Sequence, residues 1–179
     1  MQARIDATSY LQSRLGQAML ALQAEVEASG LERSLLELVK IRVSQINGCA
    51  YCIDMHTKDA HAYGESEQRI YALNAWRETP FFSDRERAAL EWAEALTLIG
   101  ETHAPDEVFE RVRRHFSDDE LVALTFSVVT INGWNRLAVA FRLPVGTYQP
   151  QHAAAWAEEV KEEKTSRKAR IVPLTAEGR

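Results

Sequence analysis

The chain has 179 residues and a formal net charge of −5 at pH 7, enough length for one full hydrophobic core. It has no clustered basic face, which argues against nucleic-acid binding and against attraction to an acidic membrane surface. No apolar run reaches transmembrane length. Residues 1–16 lack the apolar stretch of a secretory signal. Two cysteines in a chain this long do not make an extracellular disulfide framework, and a cytoplasmic setting is expected.

Residues 9–28 read as an amphipathic helix, because Leu11, Leu15, Met19, Leu22 and Val26 recur at helical spacing. Gly30 is its expected stop. Residues 32–46 read as a second helix, apolar on most sides through Leu35, Leu36, Leu38, Val39, Ile41, Val43 and Ile46, which predicts deep burial. Glu37, Lys40 and Arg42 lie among these residues and need partners there. The simplest role for Glu37 is an ion pair with Lys40 or Arg42. Asn47-Gly48 is a turn signal and helix start, so Cys49 and Cys52 fall in the first turn of a helix over about 49–63, ending at Gly64.

Ser66 starts a helix to about Arg77, closed by Pro80. Ser83 with Glu86 is a capping-box signature for a helix to about Ile99. Trp76, Phe81, Phe82 and Trp92 suit either a small apolar pocket or, more simply, core. Pro105 suits the first turn of a helix to about Phe116, and His103 and His115 are expected at the surface. Ser117 with Glu120 is a second capping box, opening a strongly apolar helix over 118–142. A faint repeat relates Glu37-Leu38-Val39 and Ile46-Asn47-Gly48 to Glu120-Leu121-Val122 and Ile131-Asn132-Gly133, hinting at two similar helical units. Asn132, Trp134, Asn135 and Arg136 fit a satisfied hydrogen-bond network inside that apolar run. Residues 150–179 are charge-dense and read as a tail.

The chemically dense stretch is 37–60. Cys49 and Cys52 form a C-x-x-C pair, and His56 follows one helical turn later. A thiolate rather than a thiol is the nucleophile, and a helix N-terminus favours it. On a helix Cys49, Cys52 and His56 share a face, so His56 can exchange a proton beside the sulfur. The second cysteine can close a disulfide after the first is oxidised. Two buried thiols with no chemistry are the bland alternative. A structural zinc site fits poorly: C-x2-C-x3-H lacks the long gap before the histidine. Cys49 and His56 would also lie about 10 Å apart along the axis at ~1.5 Å per residue.

The set Glu37, Lys40, Arg42, Ser44, Gln45, Asn47, Gly48, Cys49, Tyr51, Cys52 and His56, at these spacings, resembles the AhpD-like alkylhydroperoxidase branch of the carboxymuconolactone decarboxylase family. Residues 76–79 and 82–90 resemble the stretch that follows it, and 132–136 the last core helix, so the likeness covers about 30–145. The resemblance implies an all-α, AhpD-like helical domain over 1–149. It implies reduction of hydrogen peroxide or alkyl hydroperoxides through a dithiol/disulfide cycle, and a homotrimer or homohexamer. Carried over, Cys52 attacks the peroxide, Cys49 resolves, and Glu37 and His56 form the proton relay. The reductant would be an external thiol or dithiol, one of lipoyl type included. Relatives have a histidine directly before the second cysteine; here Tyr51 stands there, which bears on rate and substrate more than on the redox chemistry. Decarboxylating members lack the C-x-x-C pair. No metal, flavin or nucleotide is implied, since no phosphate-cradling loop is present. Two other readings stay open: a thiol–disulfide oxidoreductase or redox sensor, and a helical assembly with a vestigial dithiol.

Overall fold

The computed structural model describes residues 2–150, and all regular structure in them is helical. The expected tail over 150–179 therefore lies, apart from Pro150, outside the described residues. Helix α1 spans Ala7–Leu11 and α2 spans Arg14–Glu27, so the single helix expected over 9–28 is broken at residues 12 and 13. Ser13 causes the break by turning outward to cap α2, its hydroxyl accepting from the Gly16 amide at 3.0 Å. The chain folds so tightly there that a Cβ on Gly16 would sit 2.0 Å from the Tyr10 carbonyl oxygen. Leu15, expected on the apolar stripe, is 81% exposed.

Helix α3 (Arg33–Asn47) is the centre of the molecule and packs on α4 (Ala50–Ala62), α6 (Asp84–Thr97) and α9 (Asp118–Phe141). Its apolar surround has a reason: it serves two clusters at once. Leu35, Leu36, Val39 and Val43 join a core with Trp92, Leu124, Val128, Ile131 and both cysteines. Leu38 and Ile41 join a second with Leu73, Trp76, Phe82 and Leu90. Trp76 and Trp92 thus belong to different clusters. Helix α5 (Glu67–Ala72) tightens at Leu73 into a 3-10 turn running to Glu78, where a continuous helix to Arg77 was expected. The Arg87 guanidinium takes the carbonyls of Arg77, Thr79 and Phe82, which holds this turn and the Pro80 corner in place of further helical bonds. Short helices α7 (Ile99–Thr102) and α8 (Asp106–Val112) bridge to α9. Both capping boxes form as expected, Ser83 with Glu86 and Ser117 with Glu120. His103 and His115 are exposed. No helix among the described residues is long and apolar enough to cross a membrane.

Candidate active site

The turn from α3 into α4 places the sulfurs. Gly48 ends α3 at φ +66°, a left-handed position that a side chain would strain. This reversal sets Cys49 as the N-cap of α4. Its backbone N–H donates to the Ser44 carbonyl at 3.0 Å, and its Sγ accepts from the Cys52 backbone N–H at 3.3 Å. Cys49 and Cys52 are joined in a disulfide and are 1% and 2% exposed.

Behind the disulfide is a buried charged group. His56 stands one turn after Cys52, and its Nδ1 lies 2.8 Å from Glu37 Oε2. Lys40 Nζ donates to Glu37 Oε1 at 3.0 Å and lies 3.6 Å from Glu27. Glu37, Lys40 and His56 are all under 8% exposed. Burial alone would raise the Glu37 carboxyl. The charges and hydrogen bonds of His56 and Lys40 outweigh it and hold the carboxyl down to about 2. Glu37 thus has the expected Lys40 ion pair and the His56 contact together. Arg42 is engaged elsewhere, with Glu94 at 2.6 Å.

Asp59 lies next to this group. Its carboxylate, the Glu37 carboxylate and the His56 ring each present an atom within 4.8 Å of the others, a set able to hold a metal. Its lone pairs are nonetheless committed: Glu37 to His56 and Lys40, and Asp59 Oδ1 to the Tyr148 hydroxyl at 2.7 Å. The Lys40 ammonium would also repel a cation. Burial raises the Asp59 carboxyl, with the Tyr148 hydrogen bond pulling the other way. The segment after α9 is fastened to α4 at two further points. The Gly146 N–H donates to Asp54 at 3.2 Å, and Lys58 donates to the Tyr148 carbonyl at 3.0 Å.

The asparagines behave as a structural network. Asn47 donates to the side-chain oxygens of Asn132 and Asn135, both at 2.9 Å, and Asn135 donates to Ser44 Oγ at 3.0 Å. The two repeat-like segments therefore meet side by side and clamp the turn that carries Cys49. Trp134 is the exception. Its indole N–H has no partner among the described residues, nor does the hydroxyl of Ser127.

Cys52 opens into an apolar pocket of about 220 Å³, walled by Tyr10, Leu20, Tyr51, Met55, Trp134 and Leu143. Tyr51 is half-buried in this wall. Burial, with Asp54 and Asp59 nearby, raises its phenol further above its ordinary value, so it is a hydrogen-bond donor rather than a proton shuttle at neutral pH. A much smaller cavity adjoins the pocket across Trp134 and is lined by His56, Lys40 and Ser127. Sequence reasoning named Cys49, Cys52, His56 and Glu37, and the structure brings all four together. It missed Asp59, although a carboxylate three residues after His56 on one helix was a usable signal. Tyr148, Ser127 and the pocket carried no local signal.

Residues 14–95 match the model of the carboxymuconolactone decarboxylase family. The uncharacterised protein YdfG of Bacillus subtilis is 49% identical over 122 residues, covering 68% of this chain and 83% of that protein. A solved protein of unknown function from Agrobacterium tumefaciens, provisionally assigned as the antioxidant defence protein AhpD, is 44% identical. It superposes with a TM-score of 0.78 over 82% of this chain and 100% of its own. The debrominase Bmp8 shares the fold at 19% identity, with a TM-score of 0.65 over 82% of this chain and 76% of its own.

Proposed function

Since the chain belongs to the carboxymuconolactone decarboxylase family, we propose that it is an AhpD-like thiol-dependent peroxidase whose Cys49–Cys52 pair reduces hydroperoxides. The observation that carries this reading is the placement of Cys52. It faces an apolar pocket on one side and has the buried Glu37–His56 pair one turn along its own helix on the other.

In the reduced enzyme, His56 takes the Cys52 proton, and the ionised Glu37 steadies the imidazolium that results. The Cys52 thiolate attacks one peroxide oxygen. An S–O bond forms as the O–O bond breaks, Cys52 becomes a sulfenic acid, and His56 returns the proton to the leaving alkoxide. The Cys49 thiol then displaces water from the sulfenic acid and closes the disulfide. An external thiol or dithiol restores the pair by exchange at Cys52, the sulfur that faces the pocket. Cys49 then leaves as a thiolate already hydrogen-bonded by the Cys52 backbone N–H. An apolar pocket of this size favours an organic hydroperoxide over hydrogen peroxide, because only the former fills it.

The test is turnover of cumene, tert-butyl and hydrogen peroxides with thiol and dithiol reductants, dihydrolipoamide among them. Consumption that favours the organic peroxides and is lost in Cys52→Ser is expected. Brisk thiol–disulfide exchange with no peroxide consumed would replace this reading with that of a thiol–disulfide oxidoreductase.

A further inference from the structure

We propose that the small cavity behind His56 is a binding site for one internal water, and that Ser127 and Trp134 hold this water as a link between His56 and the substrate pocket. The site stands on geometry alone; its part in the reaction rests on the peroxidase reading.

The cavity measures about 10 Å³, about the space one water needs. Val26, Ile131 and the Trp134 ring give it apolar walls, and Lys40, His56 and Ser127 bring polar groups to it. Ser127 is 1% exposed, and its hydroxyl has no partner among the described residues. The indole N–H of Trp134 is buried and also unpartnered. Both residues line the cavity, as do Lys40 and His56. Buried polar groups are rarely left unpaired, and two such groups at one cavity point to a shared partner.

The donors and acceptors match a single water. An indole N–H can only donate, and an ammonium can only donate. Lys40 spends one hydrogen on Glu37 and has others to give. The His56 Nδ1 faces the Glu37 carboxylate, which fixes the proton on that nitrogen and leaves Nε2 with a lone pair when the ring is neutral. A serine hydroxyl accepts or donates. A water here accepts from Trp134 and Lys40 and donates to His56 Nε2 and Ser127 Oγ, a complete set of four.

The position gives the water a task. Gln23, Ile131 and Trp134 line both this cavity and the pocket into which Cys52 opens, so the water lies at their partition. When the Cys52 thiolate attacks and the O–O bond breaks, the leaving alkoxide takes a proton from the water. The water, whose two lone pairs then face the Trp134 N–H and the His56 imidazolium in place of Lys40, takes one from the imidazolium in the same event. Proton and electron counts are those of the direct transfer, and the water is unchanged. Ser127 and Trp134 are positioning residues in this scheme, since they act through the water.

The experiment pairs crystallography, at a resolution that places ordered waters, with single-turnover kinetics. The parent is expected to show one density peak within hydrogen-bond distance of both Ser127 Oγ and Trp134 Nε1. In Ser127→Val, whose methyl group fills the space, the peak should vanish. Oxidation of the pre-reduced variant by cumene hydroperoxide should slow by about tenfold or more, while alkylation of Cys52 by iodoacetamide is unchanged. Trp134→Phe, which removes the indole N–H, provides a second variant should Ser127→Val fold poorly. An empty cavity in the parent overturns the proposal, and so does a displaced water with no change in oxidation rate. A water present in a parent that consumes no hydroperoxide upholds the site and sinks the peroxidase reading instead.

Discussion

Two carboxylates sit at α3, Glu37 buried and Glu94 partly buried, and they do different work. Glu94 accepts from Arg42 at 2.6 Å, from the Trp76 indole at 2.9 Å and from Arg77 at 2.5 Å. Burial pushes its carboxyl up, and those three donors more than reverse the effect. Glu37 has the same balance of burial against cations. The difference lies in the partners. A guanidinium keeps its proton throughout the range in which proteins work, so the Glu94 cluster has one charge state and acts as a tie between α3, α6 and the 3-10 turn. Glu37 faces an imidazole, a side chain that serves as both acid and base in catalysis, and the imidazole stands one turn from the Cys49–Cys52 disulfide. A depressed carboxylate is therefore not by itself a sign of chemistry; a partner that can change charge is.

The comparison predicts opposite phenotypes. The largest effect belongs to the sulfur itself. Cys52→Ser is expected to lose all peroxide consumption. Cys49→Ser, which keeps an N-cap acceptor, should perform one attack and stop as a sulfenic acid visible by mass spectrometry. Sulfenic acid at Cys49 in an active Cys52→Ser variant would reverse the roles. Next come Glu37→Gln and His56→Ala. Each is expected to slow peroxide reduction by about 10²–10⁴-fold, with helicity by circular dichroism unchanged. Parent-like rates in both would reduce Glu37 to the structural standing of Glu94.

Glu94→Gln should do the reverse. It weakens the hydrogen bonds of the partly buried Arg42 and the exposed Arg77 and is expected to cost on the order of 1 kcal/mol in urea unfolding, with the rate of peroxide reduction per folded molecule unchanged. A fall in that rate would erase the distinction drawn above. Acid unfolding reads both carboxylates. Each has a folded-state pKa below its unfolded value, so its contribution is complete above the ordinary glutamate range near 4.3. That contribution is lost as pH falls, down to about 2 for Glu37. Stability measured from pH 6 to 2 should fall less steeply in either Gln variant than in the parent. The smallest effects are expected at Tyr51. Tyr51→Phe should change turnover little, and Tyr51→His should raise it near neutral pH, measured over pH 6–9. A collapse in Tyr51→Phe would mean that the hydroxyl takes part in the relay.

Much of this was legible in the chain. Periodicity and capping residues located α3, α4, α6 and α9 to within a few residues, because those helices bury one face or more and carry Ser or Gly signals at their ends. The break at Ser13 was not legible: Leu11 and Leu15 continue an apolar pattern, and the Ser13 cap works together with the close approach of Gly16 to the Tyr10 carbonyl. At the site, Glu37, Cys49, Cys52 and His56 lie within twenty residues of one another, so local spacing was informative. Tyr148 reaches Asp59 across 89 residues, and Ser127 and Trp134 meet His56 only through the packing of α9. No local rule links such positions. Trp134 was expected in a satisfied network, and only the geometry of the indole N–H removes it.

The disulfide closes a ring between residues only three apart in sequence, within the first turn of α4. The stabilisation a cross-link gives grows with the length of chain it encloses, and this one encloses almost none. The turn is held instead by the asparagine clamp and by the Gly48 reversal, and neither depends on the state of the sulfurs. Opening the bond is therefore expected to cost about 2 kcal/mol, against about 3 for a fifteen-residue loop. On the peroxidase reading, each turn of the thiol cycle moves the stability of the fold by that step and leaves the clamp around the turn in place.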